Sequence, residues 1–165
     1  PIARRDAFVG MRLLGEVSPE ILTALGEGMR DPYFEARVSA LQALTALARA
    51  SANVEAFQPF IPTLIELSAH KAFDTRAYAL IALSEMVRDF GLMEKAIVDR
   101  RYDTHWKVRQ QLLKALVRLA ARGIISDEKA AAEGSDVLLT SDGYRMIFPI
   151  KEAFNELPGR SAEGD

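Results

Sequence analysis

His70 and His105 are the only imidazoles in the chain, and each is followed by a residue that cannot complete a metal site, Lys71 and Trp106. A transition-metal centre needs several imidazole, thiolate or carboxylate donors in ligand spacing. A single histidine is more often a surface or capping residue. With no cysteine there is no thiolate ligand, no thiol nucleophile and no disulfide framework. No serine sits in a Gly-x-Ser-x-Gly elbow, and no glycine-rich loop is built to cradle phosphate. Carboxylate pairs such as Asp99 with Asp103 stand at a helix-to-turn junction, where capping and solvation account for them. The expectation is a chain without catalytic residues, metal or cofactor.

The informative residues are three arginines. Arg37, Arg76 and Arg109 lie 39 and 33 residues apart, each with an aromatic three positions earlier, Phe34, Phe73 and Trp106. Apolar residues recur three, four, six, seven and ten positions later: Ala40, Leu41, Ala43, Leu44 and Leu47; Ala79, Leu80, Ala82, Leu83 and Met86; Leu112, Leu113, Ala115, Leu116 and Leu119. Arg4 extends the register through Ala7, Phe8, Met11 and Leu14, 33 residues before Arg37. A recurring helix of this period cannot bury its apolar stripe alone, so the pattern predicts an all-α fold of stacked helical pairs, about four of them.

The elements that position these helices are marked by their caps. Residues 1–15 read as the second helix of a partial repeat, whose first helix is missing or lies upstream. Ser18-Pro19-Glu20 supplies an N-cap and a proline at the first helical position. The repeats then span about 18–50, 57–90 and 92–123, with Gly91 and Gly123 expected as helix stops. Residues 126–157 form an irregular cap: a helix opened by Ser126, a stretch around Ser141-Asp142-Gly143 that fits either a further helix or a short β-hairpin, and a last helix with Ile150, Phe154 and Leu157 on one face. Helix is the favoured reading for 136–140. Residues 158–165 are a polar tail, and 1–157 read as one domain.

Composition supports a folded domain: 165 residues, 49% apolar and 27% charged. No apolar run approaches the roughly 20 residues that span a bilayer. The missing signal-peptide core and the absence of cysteine lead to an expectation of cytoplasmic location. The sequence begins without methionine, so a neighbouring domain upstream is allowed. A net charge of −2 argues against a dedicated duplex-DNA binder. Charge is uneven, with eight basic and three acidic groups in 94–123 and four and nine in 124–165.

Asp103, Trp106, Val108 and Arg109, then Asp31, Phe34 and Arg37, resemble the HEAT repeat in its compact prokaryotic, phycobilisome-lyase HEAT-like form. The resemblance covers roughly residues 1–123. It departs at His70, which stands where an aspartate is expected, with Asp74 as a partial substitute. The resemblance implies a right-handed α-α superhelix in which aspartate and arginine pair between neighbouring units. It implies that Phe34, Phe73 and Trp106 staple the entries of the second helices, and that these helices line a concave face. The His-Glu pairs of HEAT-like di-iron hydroxylases are absent here.

If the stripe faces the core, positions two, five and nine after each arginine point roughly the opposite way. They place Ser39, Tyr78 and Gln111, then Gln42, Ile81 and Lys114, then Ala46, Glu85 and Arg118 in exposed rows, with Arg49 and Arg88 on their flank. Aromatic residues and arginine are the types enriched at binding hot spots. The partner-binding residues expected are therefore Ser39, Gln42, Arg49, Tyr78, Ile81, Glu85, Arg88, Gln111, Lys114 and Arg118, facing an acidic or amphipathic segment of another protein. Ordinary solvated surface is the plain alternative. Nucleic-acid binding through Arg5, Arg12, Arg49, Arg88, Lys114 and Arg118 is a second functional reading, and a bilin-lyase-like accessory role a third.

Overall fold

A computed structural model of the chain describes residues 1–141 and 147–159. Among the described residues all regular structure is helical: α1 (Ile2–Leu14), α2 (Pro19–Gly28), α3 (Phe34–Ala50), α4 (Ile61–Leu67), α5 (Phe73–Met86), α6 (Glu94–Arg100), α7 (Trp106–Ala121), α8 (Asp127–Ser141) and α9 (Ile147–Asn155), with 3-10 turns at Glu55–Phe60 and Phe90–Leu92. The caps follow local chemistry. Ser18 Oγ accepts from the Ile21 amide at 3.2 Å and Ser126 Oγ from the Lys129 amide at 3.1 Å, each satisfying an otherwise orphaned N–H of the first turn. Gly15 and Gly123 take the left-handed conformation at φ 69° and 72°, which lets the chain turn away from α1 and α7 without a Cβ clash.

The four arginine-anchored helices pack in succession, α1 on α3, α3 on α5 and α5 on α7. Helices α2, α4 and α6 cover α3, α5 and α7 in turn, while α8 and α9 both pack on α7. All fifteen stripe residues of α3, α5 and α7 are buried. One apolar core runs from Phe8 in α1 to Leu157 after α9.

The anchor arginines occupy equivalent places. Arg37, Arg76 and Arg109 each donate from Nη1 to the carbonyl six residues earlier, those of Asp31, His70 and Asp103. These three residues also cap the same turn: Asp31 Oδ1, His70 Nδ1 and Asp103 Oδ1 accept from the amide two residues on, at 2.9, 3.0 and 3.0 Å. Between layers, Arg4 clasps the Asp31 carboxylate at 2.6 and 3.1 Å, and Arg76 clasps Asp103 at 2.8 and 2.9 Å. Arg37 meets no aspartate in the next layer and donates Nε–H to Thr75 Oγ1 at 2.8 Å. Asp74, expected as a partial substitute, instead pairs with Lys107 at 3.1 Å.

Several expectations are corrected. A hairpin beginning at residue 136 is not formed, because 136–141 continue α8; the turn residues Asp142 and Gly143 lie outside the described residues. Gly91 is not a left-handed helix stop. Helix α5 ends at Met86, where Val87 turns extended, and Gly91 sits in a 3-10 turn whose amide bonds Asp89. In α1 only Phe8 of the expected stripe is buried, while Ala7 and Leu14 are exposed, since no described helix packs on its outer side. Phe34 is 52% exposed, so it does not staple the core as the resemblance implies. Phe73 does find a partner, its ring stacked 3.7 Å from His105 and nearly parallel.

Candidate functional site: a groove along the anchored helices

The helical row two, five and nine residues after each arginine extends backward by one further step, because four- and three-residue spacings alternate along one helix face. That step reaches Glu35, Asp74 and Lys107, two residues before the arginines. Together with α1 these rows line two depressions of about 260 and 240 Å³ that share Tyr78 as a wall. One is lined by Arg5, Phe34, Glu35, Val38, Ser39, Asp74 and Lys107, the other by Arg12, Gln42, Thr45, Ala46, Arg49 and Ile81.

Ion pairs cross from layer to layer along this surface. Arg5 reaches Glu35 at 2.7 Å and Asp6 at 3.0 Å. The Arg5 hydrogen bond, with that of the Tyr33 hydroxyl, holds the Glu35 carboxyl below its usual range. Lys107 bonds Asp74, and its ammonium lies 5.7 Å from the Tyr78 ring centre and 5.8 Å from that of Phe73, within cation–π range. Arg12 and Lys114 make no ion pair with the described residues. Of these two cations only Arg12 lines the depressions, where Arg5, Arg12, Arg49 and Lys107 outnumber the carboxylates Glu35 and Asp74.

At the far ends of α3, α5 and α7 one carboxylate ties three helices. Glu85 is 1% exposed and accepts from Arg49 Nε and Arg118 Nε, each at 2.9 Å. Arg122 donates to the Ser84 carbonyl at 2.8 Å. Burial lowers its pKa against the opposing pull of Glu85, and Arg118 lowers it further.

The expected site residues divide accordingly. Ser39, Gln42, Arg49, Tyr78 and Ile81 line the paired depressions. Ser39 and Glu85, expected in exposed rows, are buried at 8% and 1% exposure, because an inner helix is flanked on both sides and the two arginines cover Glu85. Arg118 is turned onto Glu85. Gln111 is half-buried and Lys114 exposed on α7, and neither lines the depressions. Arg88 lies beyond the end of α5 and pairs with Glu55. The groove residues missed as protein-binding candidates are Phe34, Val38, Thr45 and Lys107, with Arg5 and Arg12 considered only for nucleic acid. The heptad-like continuation of the row was the signal for Lys107.

Among the described residues no group of three or more histidine, cysteine or acidic side chains could hold a metal ion. No helix among them is long and apolar enough to cross a membrane. No family model matches the chain, and no curated protein matches its sequence closely enough to count as a relative.

Proposed function

We propose that this chain is a non-catalytic, cytoplasmic interaction module of HEAT-like type, a right-handed superhelical stack that holds an acidic or amphipathic segment of another protein in the groove along α1, α3, α5 and α7. The observation that carries the reading is the groove itself: apolar and aromatic walls at Phe34, Val38, Tyr78 and Ile81, bordered by Arg12, Arg49 and Lys107. Apolar walls with four lining cations, Arg5 among them, against the two carboxylates Glu35 and Asp74 suit a helix or extended strand whose other side chains are acidic. Stacked repeats present this kind of elongated surface. The equivalent arginine geometry in successive layers supports the HEAT-like assignment.

Nucleic-acid binding is the weaker reading. Glu35, Asp74 and the buried Glu85 pair with Arg5, Lys107 and Arg49, whereas a phosphate track needs uncompensated lysine and arginine. A bilin-lyase-like role rests on the family resemblance alone.

The test is capture of the native partner by the chain and by Tyr78→Ala and Lys107→Glu variants. Either variant should weaken capture at least about tenfold, the effect of losing a hot-spot side chain, with circular dichroism unchanged. Reversal of Arg118 is unsuitable because it would set a second carboxylate against the buried Glu85, with Arg49 alone to neutralise both. Capture unaffected by both changes would put the binding surface elsewhere. A steep log–log fall of affinity with salt on single-stranded or duplex DNA would favour the nucleic-acid reading instead.

A further inference from the structure

Two departures from the repeat coincide in one unit. Six residues before the anchors stand Asp31, His70 and Asp103, and one residue before them stand Ala36, Thr75 and Val108. The layer carrying His70 is thus also the one carrying a hydroxyl where its neighbours are apolar. Thr75 takes the Nε–H of Arg37 and Asp31 C=O takes an Nη1–H, both neutral acceptors. Arg37 is only 7% exposed. Burying a guanidinium without a counter-ion is costly, and the bidentate carboxylate that Arg76 enjoys is what normally offsets that cost.

Beside Arg37 the two interhelix turns enclose a depression of about 380 Å³, lined by Met29, Arg30, Asp31 and Pro32 on one side and Leu67, His70, Lys71 and Ala72 on the other. Its anionic lining group is already committed, since the Asp31 carboxylate is held by Arg4 and the Tyr33 amide. Arg30 is turned to Glu66. Lys71 makes no ion pair with the described residues. Burial first, and then the nearby charges of Arg37, Lys71 and Arg76, hold the His70 imidazole below its usual range.

We propose that this depression binds a small oxyanion, a phosphate or carboxylate group, which takes the place of the ladder aspartate and is held by Arg37 with Lys71 at its edge. It is separate from the groove and does not depend on the function proposed for it.

Inorganic phosphate titrated into the intact chain, with chloride balancing ionic strength, should raise the thermal midpoint saturably, by roughly 5–10 °C at a hundredfold excess over the dissociation constant. Acetate in a parallel titration separates the two chemistries: the anion that gives the rise names the group. His70→Asp supplies the missing carboxylate in place, so it should melt higher without added anion and lose the response. If neither anion shifts the midpoint of the unaltered chain, or if His70→Asp responds undiminished, the proposal fails. Should that variant not fold, anion-induced NMR shifts of the Arg37 Nε–H and the amides of 29–31 and 70–72 in the unaltered chain decide. Shifts centred elsewhere overturn the proposal.

Discussion

Arg76 and Arg37 show how the same side chain in the same register carries different weight. Arg76 neutralises Asp103, whose side chain is 2% exposed, so Arg76→Ala strands a buried carboxylate with Arg100 as its remaining cation. The expected cost is about 3 kcal/mol by urea unfolding. Arg37→Ala strands only a hydroxyl and a carbonyl and should cost less; the reverse order would refute the ladder account. The titrating groups set two acid limits. Arg4 holds Asp31 below the carboxylate range, and Arg76 with Arg100 and the His105 amide does so for Asp103 against the opposing effect of burial. Their stabilisation is present above the unfolded value of about 3.9 and is lost as pH falls through the lower folded values. His70, lowered from 6.5 by burial and then by Arg37, Lys71 and Arg76, acts at milder pH. Below its unfolded pKa the unfolded chain takes up a proton that the folded chain resists, so stability declines as pH drops below about 6.5. His70→Asn keeps an acceptor for the Ala72 amide and should remove that decline, measured as unfolding free energy at pH 7 and pH 5.

At the scale of elements, close approach of helices is what small residues permit. A Cβ on Gly28 would come within 2.5 Å of the Phe8 ring and 2.8 Å of Ala40 Cβ, so α2 sits where α1 and α3 can both reach it only because the position has no side chain. Gly28→Ala should destabilise the chain by about 1–3 kcal/mol through overpacking, despite alanine's better helix propensity. A gain in thermal midpoint would mean the junction is loose. The alanines at the third and sixth positions after Arg37 and Arg76, and at the sixth after Arg109, serve the same end, letting α3, α5 and α7 lie against one another while leucines fill the spaces between layers.

On the scale of the whole molecule, α8 and α9 close the α7 end of the stack. Gly134, Leu157 and Phe154 come together over Leu113, giving α7 an apolar cover that a further anchored helix would otherwise provide. A chain ending after Gly123 should melt at a lower temperature than the full chain and bind a hydrophobic dye at its uncovered end. Equal midpoints would show that the C-terminal helices are dispensable. The opposite end is built differently: Ile2, Leu13 and Leu14 on α1 are 59%, 78% and 66% exposed.

The helical class, the arginine register and every stripe residue of α3, α5 and α7 were legible in the sequence by itself, because a 3.6-residue period repeated in three segments leaves few ways to bury its apolar side. The caps at Ser18, Ser126 and Gly123 were legible too, being local chemistry between residues a few positions apart. What needed the tertiary structure were relations between layers: that Arg37 finds Thr75 and not Asp74, that Glu85 is buried beneath two arginines, that Arg88 leaves the groove, and that Lys107 and Phe34 enter it. A single-helix pattern measures which way a side chain points from its own axis. Burial and charge pairing on an inner helix are decided by what the helices on either side place against it.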